Sequence, residues 1–288
     1  MVIRTSDRRR PEARREAILT ELAEGRGTVA ELSESLAVSA ATVRRDLRLL
    51  ADQGRATRTY GGAVSGPRLF ERTLGQKEHS SIRQKDAIAE HAASLVEDGD
   101  VLVLDAGTTT GRLAHHLRDR AGLTVLTNGI NTLVTLSQSE NITLITLGGQ
   151  LRHLSQALVG PLAEETLRHV VADKVFLGAD GFLPERGLSC PTLEQASLKA
   201  LMASRAREVY VLADHSKLGA APFPFYAPLT GATTLVTDAE ATPAQVAAAE
   251  RDPHVRVEVA AQRDPHRYRG DPVESAVSAP PASEARTP

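Results

Sequence analysis

The 288-residue chain has a single cysteine, Cys190. That excludes a disulfide framework within the chain and fits a reducing compartment. No apolar run approaches the roughly 18 residues that span a bilayer. The N-terminal MVIRTSDRRRPEARR is charged where a secretory leader is apolar. A soluble cytoplasmic protein with no membrane partner is the expectation. No Cys or His cluster is present, and the neighbouring His115 and His116 leave a helix in different directions, so neither a metal nor another cofactor is expected. Lysine is scarce, five residues against 29 arginines. Net charge is only -2, but residues 1–60 hold twelve arginines against nine acids. That asymmetry suggests a basic module joined to a mildly acidic one.

The basic module has helical punctuation. Residues 12–24 place Ile18, Leu19 and Leu22 on one face, and Gly25 and Gly27 follow. Thr28 and Glu31 have the spacing of a capping box before a second helix. Ser39 is a natural N-cap for a third helix running to about Asp52. In SAATVRRDLRLL, Val43, Leu47 and Leu50 turn inward, which leaves Arg44, Arg45 and Arg48 facing out together. RATRTYGGAV then suits a short hairpin. Residues 1–11 read as a basic arm, 12–64 as three helices with a β wing, and 65–84 as a linker.

Residues 85–260 alternate helical patterns with strands that are apolar along their length, such as DVLVLDAG and KVFLGADG. This predicts an α/β domain with a mostly parallel sheet covered on both faces. From 261 to 288 the chain has no period, and a disordered tail is expected. Ligands of open α/β sheets sit beyond the carboxyl ends of the strands. Those ends read DAGTTTG, TNG, GGQLR, GADG and ADHSK. Gly107 with Thr108, Thr109 and Thr110 at a helix start makes an anion site suited to phosphate. Lys217 supplies positive charge, and Asp105, Asn128 and Asp180 are candidates for sugar hydroxyls. Thr127, Gly148 and Gly149 occupy two further strand ends. Singly, such residues also make ordinary turns and caps; five polar strand ends together favour a ligand. GTTTG is followed by no lysine of a Walker loop and lacks GxGxxG spacing.

The N-terminal stretch, with S-x-x-T-V-R-R-D-L followed by G-R-x-x-R-x-x-G-G-A, resembles the DeoR family of bacterial transcriptional regulators. The likeness continues through KDAIAEHA, LDAGTTT, TNG, LGGQLR, FLGADG and LADHSK, over about residues 12–240. It implies an N-terminal α+β winged helix-turn-helix joined to a sensor resembling ribose-5-phosphate isomerase in fold. The implied partners are double-stranded operator DNA, a phosphorylated sugar effector, and further copies of the chain as a homodimer or homotetramer. A repressor of sugar-metabolism genes is the expectation. In such a recognition helix, Ser39, Ala41, Thr42 and Arg45 meet base edges. Arg44 and Arg48 reach phosphates or bases, and Arg55 and Arg58 in the wing meet backbone or minor groove. The rival for the basic face is a solvated surface with Asp46 as internal partner. The rival for the whole chain is an aldose–ketose sugar-phosphate isomerase, with Glu194 near the position of its general base. Against it, Leu177 stands where the isomerase has an aspartate, and ERGLSCPT replaces its lysine-led glycine loop. No catalytic residue is therefore assigned; Glu194 is either a contact to ligand hydroxyls or an ordinary helix N-terminal acid.

Overall fold

The computed structural model describes residues 11–23, 26–52, 56–59, 62–65 and 71–261. Residues 1–10 of the expected arm and 262–288 of the expected tail lie outside them. The first module comprises α1 (Pro11–Ala23), α2 (Val29–Ser35), α3 (Ala40–Asp52), β1 (Ala56–Thr59) and β2 (Gly62–Ser65). Pro at the first helical position of α1 loses nothing, because that N–H has no helical partner. The capping box of α2 forms: Thr28 Oγ1 accepts from Glu31 N, and Glu31 accepts from Thr28 N at 2.9 Å. Ile18, Leu22, Leu32, Val43, Leu47 and Leu50 bury together. β1 and β2 pair antiparallel as the wing.

Part of the stretch expected as linker is helical. α4 (Leu74–Glu78) and the start of α5 (Ile82–Ser94) fall inside it. A five-residue helix is too short to show a period in sequence. A second capping box, Thr73 with Gln76, sets it.

The larger module continues with β3 (Val101–Leu104), α6 (Thr108–Leu117), β4 (Thr124–Thr127), α7 (Ile130–Leu136), β5 (Thr143–Thr146), β6 (Gln150–Arg152), β7 (Ala157–Val159) and α8 (Pro161–Arg168). β8 (Ala172–Gly178), β9 (Phe182–Leu183), β10 (Gly187–Cys190), α9 (Leu193–Ser204) and β11 (Ala206–Leu212) follow. A 3-10 turn at His215–Lys217, β12 (Phe225–Ala227), β13 (Thr233–Asp238), α10 (Pro243–Ala249) and β14 (Val255–Ala260) complete it. Seven strands form one sheet in the order β14-β13-β11-β8-β3-β4-β5, every neighbouring pair parallel.

Side chains alternate across this sheet with period two. Leu102, Leu104, Phe176, Tyr210, Leu212 and Val236 pack in one layer with α5 and α6. Val103, Val175, Leu177, Val211 and Leu235 pack in the other with α8 and α9. Phe176 stacks on Tyr210 with ring centres 5.0 Å apart. Two small antiparallel pieces went unread in the sequence: β9-β10-β12, and the β6-β7 hairpin. Their strands are two to four residues long, too short for a period to register.

From β3 the chain runs outward through β4 and β5, then returns to lay β8 on the other flank of β3. The crevice between the carboxyl ends of β3 and β8 is thus a topological switch point, the place where open α/β sheets hold ligands.

Candidate functional site

A cavity of about 530 Å³ opens at that switch point, within the ordinary range for small-molecule sites. Gly107, Thr108 and Thr109 line it from the start of α6, and Ala179 and Asp180 from the end of β8. The first N–H groups of a helix lack partners inside it and carry its positive dipole end. Four of the five lysines in the chain, Lys77, Lys85, Lys199 and Lys217, also line this cavity. The chain uses arginine almost everywhere else, so this concentration gives the scarcity of lysine a place.

The four amines differ in what holds them. Lys77 Nζ lies 2.5 Å from Asp180 Oδ1. Lys85 Nζ donates to the carbonyl of Lys77 at 2.5 Å. Lys199 pairs with Asp105 and donates to Gly178 O at 2.7 Å. Lys217 has no ion pair or hydrogen bond to its amine among the described residues. Burial alone would raise the Asp180 carboxyl, but Lys77, Lys199 and Lys217 hold it below the usual range. Burial works against the charge of Lys199, yet Asp105 raises it on balance. Burial is also the main reason the Lys85 amine falls from 10.5 to about 8; Lys217, Arg112 and Lys77 add to the fall and Asp214 opposes it.

Of the effector residues expected from sequence, Gly107, Thr108, Thr109, Asp180 and Lys217 line the cavity. Asp105, Thr110, Thr127 and Asn128 are buried and do not line it. Asp105 is buried, accepting from Gly178 N at 3.0 Å as well as from Lys199. Thr110 is fully buried, and its hydroxyl returns to Gly107 O. Thr127 donates to Leu104 O at 2.8 Å, and Asn128 accepts from Ala106 N at 2.8 Å. With Asn131, which donates to Gly107 O at 2.8 Å, they fix the turn before α6 rather than meet the cavity.

Gly148 and Gly149 belong to the β5–β6 turn, both with positive φ, 75° and 107°. A Cβ on Gly149 would lie 2.4 Å from Val159 O, so close backbone approach explains this glycine. Glu194 is exposed on α9 and does not line the cavity. Cys190 is buried, its thiol pushed up to about 11 chiefly by burial. His215, Asp238 and Glu240 bring donor atoms within 4.8 Å of one another. Here both the His215 backbone N and Nδ1 bond Asp238, at 2.7 and 2.9 Å, which anchors the turn that carries Lys217.

Sequence reading missed Lys77, Lys85 and Lys199, which sit on helices rather than strand ends. Lys77 belongs to a strap, residues 71–80, that also touches α3. Arg72 donates to Asp52 O at the end of α3, 2.6 Å away. Glu71 holds Arg152 of β6 through both carboxylate oxygens, and Leu74 N donates to Leu154 O at 2.7 Å.

On α3, Ser39 caps the helix by accepting from Thr42 N at 3.2 Å. Ser39, Ala41, Arg44, Arg45 and Arg48 are exposed and Thr42 is half-buried. None of the three arginines pairs with a carboxylate among the described residues. Asp46 is not their partner: it is buried, and Arg14 of α1 holds it at 2.6 Å. Spacing alone could not reveal that, because Arg14 lies a whole helix away. Arg55 and the side chain of Arg58 lie outside the described residues.

Residues 14–67 match the DeoR-like helix-turn-helix domain, and residues 80–239 match the DeoR C-terminal sensor domain. The chain belongs to the DeoR family. It is 39% identical over 230 residues to the HTH-type transcriptional regulator YulB of Bacillus subtilis, covering 80% of this chain and 88% of that one. The HTH-type transcriptional repressor GlcR of the same organism is 37% identical over 230 residues, covering 79% and 88%. A solved ribose 5-phosphate isomerase A from Methanocaldococcus jannaschii overlaps 46% of this chain and 52% of its own, at 23% identity and a TM-score of 0.35. This DeoR-family chain is thus a helix-turn-helix transcriptional regulator with a sensor domain, and no described helix is long and apolar enough to cross a membrane.

One expected result follows for the basic face. If Arg45 meets a guanine edge, Arg45→Ala is expected to cost roughly 1–3 kcal/mol on operator DNA, the worth of one bidentate arginine–guanine contact. The loss on random DNA is expected to be much smaller, because a base-edge contact is made only where the matching base is present, whereas a phosphate contact would be lost equally on both. Competition binding with operator and scrambled duplexes measures both; equal losses would reduce Arg45 to a phosphate contact.

Proposed function

We propose that this regulator represses sugar-metabolism genes from the cytoplasm by seating α3 in the operator's major groove, and that a phosphorylated sugar in the cavity controls it. Ser39, Ala41, Thr42 and Arg45 face the bases, Arg44 and Arg48 meet phosphates or bases, and Arg55 and Arg58 meet the backbone or minor groove. The convergence of four lysines and the start of α6 on one cavity at the switch point carries the effector reading. Thr108, Thr109 and Lys217 take the phosphate, and Lys77 and Asp180 reach the sugar. Such a ligand controls DNA binding only by favouring one of two states. One helix-turn-helix reads a half-site, so a homodimer or homotetramer is the working form.

Calorimetry of the full chain against paired phosphorylated and unphosphorylated sugars tests this. Binding of one phosphorylated member, with the ligand recovered unchanged, is the expected result. Recovery of an isomerised product would instead favour the aldose–ketose isomerase. Of the carboxylates lining the cavity, Asp180 is paired with Lys77 and Asp214 accepts from Ser216, while Glu194 lies outside. A base for proton abstraction has little support in that set. Sedimentation tests the oligomer; a monomer that still binds its operator tightly would count against it.

Lys85 gives the ligand a pH dependence. Between pH 8 and 10.5 the unfolded chain keeps this proton and the folded chain releases it, so the burial penalty is full below 8 and fades above. Ligand affinity runs the other way, because an anion needs the charged amine. The second pKa of a phosphate monoester is about 6, so most of that ionisation is over before this window. Affinity is expected to fall from pH 7 to 9 in the parent chain and to be flatter in Lys85→Gln. Parallel profiles would remove Lys85 from the site.

A further inference from the structure

Four helices open with threonine followed three residues later by Glu or Gln: Thr28–Glu31, Thr73–Gln76, Thr192–Gln195 and Thr242–Gln245. In α2, α4 and α10 the box closes. The third residue's side chain accepts from the threonine N–H at 2.9, 3.0 and 3.0 Å. In α9 only half of it forms: Thr192 Oγ1 accepts from Gln195 N at 3.3 Å, and the return bond is missing. The Thr192 backbone is also more extended, with φ at -135° against -76°, -61° and -73° in the others.

Gln195 lines the cavity instead, 9% exposed, one turn ahead of Lys199. Its Oε1 is buried and has no hydrogen-bond partner among the described residues. A buried amide without a partner is destabilising unless something arrives to satisfy it. Here it has been withdrawn from a bond that the same residue pair makes elsewhere in the chain.

We infer that Gln195 reads a hydroxyl of the ligand, so the cavity selects a polyol phosphate over a bare phosphate. The inference rests on the phosphate reading of the cavity. A hydroxyl suits either end of the amide, since it both donates and accepts. Phosphate on the α6 side and hydroxyl on the α9 side fix the ligand at two points. The open capping box then leaves the amide to a hydroxyl of the sugar.

The full chain is titrated calorimetrically with inorganic phosphate and propyl phosphate as hydroxyl-free probes. Glycerol 3-phosphate, ribose 5-phosphate and glucose 6-phosphate serve as polyol probes. The parent is expected to prefer at least one polyol phosphate. Gln195→Met, close in volume and without hydrogen bonding, is expected to shrink that preference by about three- to tenfold, the worth of one neutral hydrogen bond. Its melting temperature without ligand is expected to equal or exceed that of the parent, because an unpartnered polar atom has been removed. Gln195→Glu, which keeps an acceptor, is expected to retain part of the preference. A lower ligand-free melting temperature with an unchanged preference would make Gln195 a structural residue and overturn the inference. Failure of every probe to bind the parent would overturn the phosphate reading, and the hydroxyl reader with it. Binding with a preference that ignores Gln195 would overturn the hydroxyl reader alone.

Discussion

Lys217→Ala is expected to weaken binding of a phosphorylated sugar by about 1.5–3 kcal/mol, roughly 10- to 150-fold, the usual worth of a hydrogen bond to a charged group. Lys217 is singled out by its freedom. Lys77 and Lys199 each face a carboxylate at contact distance, and Lys85 is spent on a carbonyl. Among the described residues the Lys217 amine has no ion pair or hydrogen bond of its own, although its charge acts on Asp180 and Lys85 through space. The turn that carries it is anchored by His215 on Asp238 and by Gln245 donating to His215 O at 2.9 Å. Removing the amine should leave that turn in place. Calorimetry on the full chain measures the loss, and ligand-free operator affinity, measured alongside, is expected to match the parent. An undiminished response to the sugar would move the phosphate elsewhere in the cavity.

A larger effect, on stability, is expected from the opposite end of the sheet. Lys174 of β8 and Asp100, just before β3, form a buried pair at 2.7 Å, with 6% and 10% of their side chains exposed. Burial alone would pull the Lys174 amine down; Asp100 outweighs it and holds the amine raised. Asp100 also accepts from Glu97 N at 2.8 Å. Asp100→Ala leaves a buried charge without its partner, and such losses run to about 3–5 kcal/mol. The double variant Asp100→Ala with Lys174→Met is expected to recover most of that, since buried pairs are often replaceable by apolar groups. Chemical denaturation of the three chains checks both statements. A double variant as unstable as the single one would show that the loss came from the turn at Glu97, not from the stranded amine.

Much of the architecture was legible. The caps at Thr28 and Ser39 are local, each made within four residues, so they could be read directly. The parallel sheet was legible because strands buried on both faces have no polar alternation. The site was only partly so. Strand ends pointed to Gly107, Asp180 and Lys217, since topology alone puts those ends at the crevice. Asp105 and Asn128 carry the same chemistry but are consumed as braces, which only burial and partners reveal. Lys77 reaches Asp180 across 103 positions, from a helix too short to see. Thr192 and Gln195 have the spacing of an ordinary capping box, and only the missing return bond distinguishes Gln195.

The strap from Glu71 to Ser80 touches the end of the recognition helix through Arg72 and the cavity through Lys77. Such a connection has no preferred direction. If a sugar changes operator affinity by some factor, the operator changes sugar affinity by the same factor. Copies seated on DNA and copies free in solution then respond to one metabolite at two different thresholds. How much sugar is needed to trigger a change depends on how many operators are occupied, so the number of binding sites on the chromosome becomes part of the sensor's calibration.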